Sequence, residues 1–185
     1  MSLFEFVTVM ISMILALCLG QILRSASYLA KTEREVVFYR PYALWLVSIM
    51  LAVVNHWWSL WDLQSIDWNY ASFFYMLVAP TLVTFAVGLL APDRTATGPI
   101  NLEKHFSRIR GLFSITLVGY TLVMWFDGPL FAGQAPFGIV GLLHLPIIAA
   151  FLVPSFTNGA RTNSLAASVV IVTILAVMTA RYFGA

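Results

Sequence analysis

Six long runs of mainly apolar residues, separated by short polar segments, make up almost the whole chain of 185 residues. A helix needs about 20 such residues to cross the roughly 30 Å hydrocarbon core of a bilayer. We therefore expect an all-α, polytopic integral membrane protein, with six transmembrane helices in a single domain that covers residues 1–185. The predicted spans are approximately residues 3–23, 41–61, 70–91, 109–126, 137–156 and 164–183.

The distribution of charge predicts how these spans are oriented. Nine of the ten Lys and Arg residues lie in segments 24–40, 92–110 and 157–163, which are alternate connections between spans. By the positive-inside rule these connections are cytoplasmic, and both termini lie outside. The predicted outer side carries Glu5, Asp62, Asp67 and Asp127.

The overall composition supports a membrane protein. Hydrophobic residues make up 61% of the chain and charged residues 10%, whereas a soluble domain is about 45–50% apolar and about 25% charged. The formal net charge of +2 is explained by the basic connections. We therefore expect the lipid bilayer as a partner and no binding to nucleic acid.

Two of the connections carry helix signals of their own. The string Thr32-Glu33-Arg34-Glu35 matches a capping box and predicts a short surface helix before the second span. In the connection before span four, Leu102, Phe106 and Ile109 share one helical face. This predicts either a basic helix that lies on the lipid headgroups or an extension of span four.

Two histidines at membrane depth are the sharpest chemical feature. His56 and His144 lie about 7–8 Å and about 10 Å inside the predicted outer ends of spans two and five, at 1.5 Å per residue. An ionisable side chain inside a span is by default a functional hypothesis, and imidazole exchanges protons near neutral pH. We expect an outer polar site that consists of Asn55, His56, Asp62, His144 and Glu5. Asp127 is a further candidate partner of the two histidines. If the protein binds a metal ion, the two histidines are its expected ligands.

Two alternatives remain open for these histidines. His56 is followed by Trp57, Trp58 and Trp61, and an interfacial tryptophan belt also accommodates an amphipathic imidazole ring. Alternatively, one histidine on each of two facing helices is the minimum for a haem b with two axial histidines. Nothing else in the sequence requires a cofactor.

Two prolines and a stripe of small residues predict packing features. Pro80 and Pro146 each remove an amide donor inside a span, so they are expected to shape a path, although structural kinks have the same signature. Ser12, Ala16 and Gly20 recur at intervals of four residues. Such a face allows close helix packing, either within the monomer or between protomers.

The two central hairpins, spans two and three and spans four and five, share a pattern. Pro80 and Pro146 follow Asp62 and Asp127 at nearly the same distance along the chain. This similarity is expected either from an internal duplication, as in many transporters, or from the usual composition of membrane turns.

Several short strings resemble a family of small, uncharacterised (hypothetical) bacterial six-helix membrane proteins. The strings are Ser2-Leu3-Phe4-Glu5-Phe6-Val7, Ile11-Ser12, Ile14-Leu15, Ile22-Leu23, the Trp-rich end of span two, and Leu90-Ala91-Pro92-Asp93. The resemblance covers mainly the first half of the chain. It implies a multi-pass location in the bacterial inner membrane, and it carries over no activity and no catalytic residue.

Function is therefore predicted from the spans and their polar residues. No HExxH, CxxC, GxSxG or glycine-rich phosphate loop is present, which does not favour an enzyme. We expect a small channel or transporter for protons or another ion. The alternatives are a non-catalytic membrane subunit or scaffold that binds a partner protein, and a haem- or quinone-binding membrane subunit. The small-residue stripe predicts a homo-oligomer or a subunit of a membrane complex.

Overall fold

The computed structural model describes residues 2–64, 66, 68–93, 98–131, 133, 135 and 137–182. In this part of the chain, helices account for all regular structure except two strands of two residues each, so the predicted all-α class is confirmed. The elements are α1 (Leu3–Lys31), β1 (Val36–Val37), α2 (Arg40–Ser59), a 3-10 turn (Leu60–Leu63), α3 (Tyr70–Leu90), β2 (Ile100–Asn101), α4 (Leu102–Phe131), α5 (Ile139–Leu142), α6 (His144–Phe156) and α7 (Ala160–Tyr182).

Five helical segments in the described residues are long and apolar enough to cross a membrane. They are Leu3–Lys31, Arg40–Leu63, Tyr70–Leu90, Leu102–Phe131 and Ala160–Thr179. The protein is therefore compatible with a membrane-embedded bundle. The sixth predicted span, residues 137–156, is instead divided between α5, with four residues, and α6, with 13 residues.

Pro146 explains why this span is divided. Its ring clashes with the carbonyl group four residues earlier, at Leu142, and it has no amide hydrogen to donate. Proline is tolerated in the first turn of a helix, and Pro146 is the third residue of α6. Nδ1 of His144 lies 3.2 Å from the carbonyl oxygen of Gly141, at the end of α5. In α3, by contrast, the helix continues through Pro80.

The long helices run up and down and form a closed ring of neighbours. In order, α1 packs on α3, α3 on α4, α4 on α6, α6 on α7, α7 on α2, and α2 on α1. Side-chain bonds cross these interfaces: the Ser48 hydroxyl donates to the carbonyl of Ala167 at 3.2 Å, and the Tyr120 hydroxyl donates to the carbonyl of Ala52 at 3.3 Å. We call the end of the bundle with Glu5, Asp62 and Asp127 the acidic end, and the opposite one the basic end.

The connections at the basic end are tied together by short polar contacts. β1 pairs in parallel with β2, Val36 opposite Ile100, and the Arg34 side chain donates to the carbonyl of Gly98 at 2.7 Å. The surface helix predicted from the capping-box string is therefore wrong, because the chain pairs as a strand there. For the connection before span four, two alternatives were predicted: a separate surface helix or an extension of the span. The structure shows the extension, because α4 begins at Leu102.

Arg110 and Tyr39 make further hydrogen bonds at the basic end. Arg110 donates to the carbonyl oxygens of Pro154 at 2.7 Å and Ser155 at 2.9 Å, in the last turn of α6. The Tyr39 hydroxyl donates to the carbonyl of Asn158 at 3.3 Å. Burial, with a smaller effect from the Glu103 carboxylate, raises the pKa of Tyr39.

Candidate polar site at the acidic end

His56 lies on the buried face of α2. Residues of this helix that face the core recur every three or four positions, from Trp45 through Ile49 and Ala52 to His56. His56 is therefore 3% exposed, whereas the neighbouring Trp57 and Trp58 are exposed on the bundle surface. The tryptophan belt and the histidine occupy different faces of one helix, so the imidazole belongs to the interior.

The surroundings of His56 combine a polar atom without a partner and a small cavity. Its Nδ1 atom is buried and makes no hydrogen bond, and its ring centroid lies 5.8 Å from that of Tyr120. The ring borders a cavity of about 10 Å³ that Ser59, Tyr75 and Asp127 also line. This volume is about that needed for one water molecule. His56 is thus brought together with Asp127 across α2 and α4.

Asp127 and Tyr75 are fixed by contacts with the backbone. The Asp127 carboxylate accepts a hydrogen bond from the amide of Gly128 at 2.5 Å, and the Tyr75 hydroxyl donates to the carbonyl of Val123 at 2.8 Å. The sequence placed Asp127 in an outer turn and among the candidate partners of the two histidines.

His144 and Asn55 line a second cavity, of about 50 Å³, together with Tyr120 and Thr121. The Oδ1 atom of Asn55 is buried and has no hydrogen-bond partner. The His144 ring stacks on Trp125, with centroids 6.0 Å apart and an angle of 1° between the planes.

The two histidines therefore line adjacent cavities and do not share one. Met124 borders both cavities, while Tyr120 packs against His56 and also lines the cavity of His144. Tyr120 was not among the predicted site residues. No short-range sequence signal marks it, because its role depends on how α4 packs against α2.

An aromatic cluster adjoins the second cavity. Phe151 lines the cavity, and its ring centroid lies 5.7 Å from that of Trp45. Trp45 in turn lies 5.8 Å from Phe113. All three side chains are at most 1% exposed. We call Trp45, Phe113 and Phe151 the aromatic floor.

The two acidic residues predicted for the same site lie elsewhere. Asp62 is exposed in the 3-10 turn, and Glu5 is exposed in the first turn of α1; neither lines the two cavities. Asp67 lies outside the described residues. Glu5 instead borders a separate groove of about 570 Å³, which we call the aromatic groove. Its lining residues are Ser2, Leu3, Phe4, Glu5, Trp61, Gln64, Ile66 and Trp68.

The two predicted path-shaping prolines do not line the cavities themselves. Pro80 is buried and Pro146 is exposed, but their neighbours Ala79 and Ile147 border the first and the second cavity respectively. Their effect on the cavities is therefore through the course of the backbone.

The small-residue stripe of α1 is largely unused within the monomer. Only Ser12 takes part in a described bond, accepting from the indole nitrogen of Trp57 at 3.0 Å. Ala16 and Gly20 are exposed, and a Cβ atom added at Gly20 would meet nothing within 4 Å. The face of α1 that packs in the bundle is formed by Val7, Ile11, Leu15, Cys18 and Ile22.

A metal ion or a haem would each need particular side chains close together. In the described part of the chain, no group of three or more His, Cys, Asp or Glu side chains is placed to hold a metal ion. A haem with two axial histidines needs both imidazoles on one iron, whereas His56 and His144 line separate cavities of about 10 and 50 Å³. These two cavities do not fit a porphyrin.

The arrangement can therefore bind water and exchange protons inside the bundle. Its parts are one imidazole beside a carboxylate, a tyrosine between the cavities, and a second imidazole beside an amide.

Comparison with known proteins finds nothing similar to this chain: no protein-family model, no curated protein and no solved structure matches it.

Proposed function

We propose that this protein is a small proton channel or transporter in which His56 exchanges the transported proton. The observation that carries the proposal is the buried His56 imidazole, whose Nδ1 has no partner, beside Asp127 in a cavity the size of one water. A buried polar atom without a partner costs about 1–3 kcal/mol. Such a cost is typical of functional sites, and imidazole is the side chain suited to proton exchange near neutral pH.

The small size of both cavities favours protons over larger solutes. Volumes of about 10 and 50 Å³ hold about one water and a few waters respectively. A proton moves along such waters and side chains without taking a hydration shell with it. In the proposed sequence, Asp127 attracts the proton, His56 accepts it, and the Tyr120 ring separates this step from the cavity with Asn55 and His144.

In this proposal the aromatic floor is the closed gate of the path. Trp45 packs against Phe113 and Phe151, and Phe151 lines the second cavity. Transport therefore requires these rings to move.

The proposal includes a topology and a location. The segment α5–α6 is the sixth crossing, both termini lie outside, and the basic end faces the cytoplasm of a bacterium across its inner membrane. The support is the segregation of charge: described basic side chains such as Arg34, Lys104 and Arg110 lie in or beside the connections at one end.

A second candidate function, a membrane subunit that binds a partner helix or a second copy, is favoured by one observation. Ala16 and Gly20 present an exposed surface of small residues on α1 of the kind that allows close contact between helices in lipid. Crosslinking of a Gly20→Cys variant in native membranes tests this candidate. A Cys18→Ala background removes the only natural cysteine, which is buried.

The proton proposal is tested by flux into liposomes. Purified protein is reconstituted with a pH-sensitive dye inside the vesicles, and a potassium gradient with valinomycin supplies the driving potential. We expect wild type to acidify the interior and His56→Leu to reduce the rate at least about tenfold, since imidazole is the side chain suited to proton exchange near neutral pH and leucine cannot exchange protons.

The matched control is His105→Gln. His105 lies at the basic end, where its Nε2 is 3.1 Å from the carbonyl oxygen of Leu89, and it lines neither cavity. Its loss should leave the flux unchanged. A wild-type rate equal to that of empty liposomes, or equal rates for wild type and His56→Leu, contradicts the proposal.

A further inference from the structure

The aromatic groove at the acidic end has the size and composition of a ligand site. Its volume of about 570 Å³ lies within the usual range of small-molecule pockets, about 300–1,000 Å³. Most of the described residues that line it are aromatic or aliphatic. Among these described residues, Glu5 carries the one charged side chain, and Gln64 adds an amide.

The aromatic rings of the groove remain accessible or half-accessible. Trp61 is 73% exposed, and the rings of Phe4 and Trp68 pack with centroids 6.3 Å apart. The negative face of an indole ring attracts a cation placed within about 6 Å. A tryptophan and a carboxylate that line one groove, as Trp61 and Glu5 do, are residue types suited to binding an organic cation.

Local structure holds the carboxylate at the groove. Ser2 and Glu5 form a reciprocal capping box: the Glu5 carboxylate accepts from the Ser2 amide at 2.9 Å, and the Ser2 hydroxyl accepts from the Glu5 amide at 3.2 Å. Because these bonds restrict the side chain, less conformational entropy is lost when a ligand binds.

We propose that the aromatic groove binds a substituted ammonium group, held by the Glu5 carboxylate and the face of Trp61. The N-terminus of a helix by itself favours anions, so selectivity for a cation depends on Glu5. The ligand is either the quaternary ammonium of a phospholipid headgroup or that of a soluble compound. The inference is independent of proton transport, since the groove shares no lining residue with the two cavities.

The test uses tetramethylammonium chloride, titrated by calorimetry into the full chain in a maltoside detergent, with sodium chloride as the reference titration. We expect saturable binding to wild type. Glu5→Gln keeps the capping box but removes the charge, and should weaken binding about tenfold. Trp61→Leu should weaken it about two- to fivefold.

Two matched controls separate local contact from general effects. Asp62→Asn removes the same charge at the same end, and Trp58→Leu removes another exposed indole; neither residue lines the groove. Both variants should bind as wild type does. The proposal is overturned if wild type shows no saturable binding, or if Glu5→Gln binds as tightly as wild type.

A second arm distinguishes the two sources of the ammonium group. The titration is repeated in nanodiscs of phosphatidylcholine and of phosphatidylglycerol. If the lipid headgroup is the occupant, phosphatidylcholine competes and weakens the apparent affinity compared with phosphatidylglycerol discs. If a soluble compound is the occupant, the titrations in the two discs agree after correction for the surface potential of the anionic lipid. Liposome flux of Glu5→Gln should equal that of wild type, so failure here does not affect the proton proposal.

Discussion

The two halves of the bundle use buried polar groups differently. In the acidic half, the Asn55 and His56 side chains each leave one polar atom unpaired, and both line cavities. In the basic half, Arg110 and Tyr42 donate to carbonyl groups of neighbouring helices. Four buried polar atoms there also lack partners, but none of their residues lines the two cavities: Gln21 Oε1, Trp45 Nε1, Ser114 Oγ and Asn163 Oδ1. Packing therefore dominates in the basic half, and space for water and proton exchange lies in the acidic half.

This difference indicates where stability and function are located. Filled aromatic packing contributes stability, whereas the two cavities of the acidic half reduce it. Substitutions in the basic half should therefore change the free energy of unfolding, and those in the acidic half should change transport with smaller effects on stability.

The largest expected effect is that of Trp45→Ala. Trp45 is 0% exposed and packs between Phe113 and Phe151, so its removal should lower the free energy of unfolding by about 3–5 kcal/mol. Unfolding of the purified protein, followed in mixed micelles with increasing dodecyl sulfate, measures the change. Trp58→Ala, at an exposed position, is the control. Equal loss in both variants would mean that the aromatic floor is not a packing centre.

The next largest effect is expected for Arg110→Ala. The last carbonyl groups of a helix lack partners within that helix, and Arg110 satisfies those of Pro154 and Ser155 in α6. Loss of these charge-assisted bonds should cost about 1.5–3 kcal/mol in the same unfolding assay. Arg110→Lys keeps the charge and should recover part of the loss, while Arg108→Ala, at an exposed position, should change little. If the unfolding midpoint of Arg110→Ala equals that of wild type, these hydrogen bonds contribute little to stability.

The fold was predictable from sequence to the extent that apolar runs determine helices. The five long apolar helices lie where the spans were predicted, because a run of about 20 apolar residues has few alternatives in a bilayer. The division of residues 137–156 was missed, since Pro146 was interpreted as a kink within one span. Its position three residues into α6 depends on where the preceding helix ends, which the apolar pattern does not show.

The candidate site was predictable only in part. Depth along a span identified His56 and His144, because depth follows from counting residues at 1.5 Å each. Which residues contact the two histidines depends on the rotation of each helix about its axis and on which helices pack together. Tyr120 was therefore missed as a partner, whereas Asp127 was one of several candidate partners. The expected site members Glu5 and Asp62 lie outside the two cavities.

A smaller change in stability is expected for His56→Leu, although its effect on transport is large. Replacing a buried imidazole that has an unpaired Nδ1 by an apolar side chain removes the cost of the unpaired atom and loses some ring packing against Tyr120. The two effects oppose each other, so the free energy of unfolding should change by less than about 1 kcal/mol. A loss as large as that of Trp45→Ala would place His56 among the packing residues instead.

A comparably small effect on stability is expected for Tyr120→Phe. The hydroxyl group donates to the Ala52 carbonyl at 3.3 Å, a long bond to an acceptor inside α2, so its loss should cost about 0.5–1 kcal/mol. The aromatic ring that separates the two cavities stays in place. Proton flux should therefore be reduced only if the hydroxyl itself passes the proton from the His56 cavity to the His144 cavity. A flux unchanged from wild type, with the small stability loss observed, would show that the ring acts as a partition and that water alone connects the two histidines.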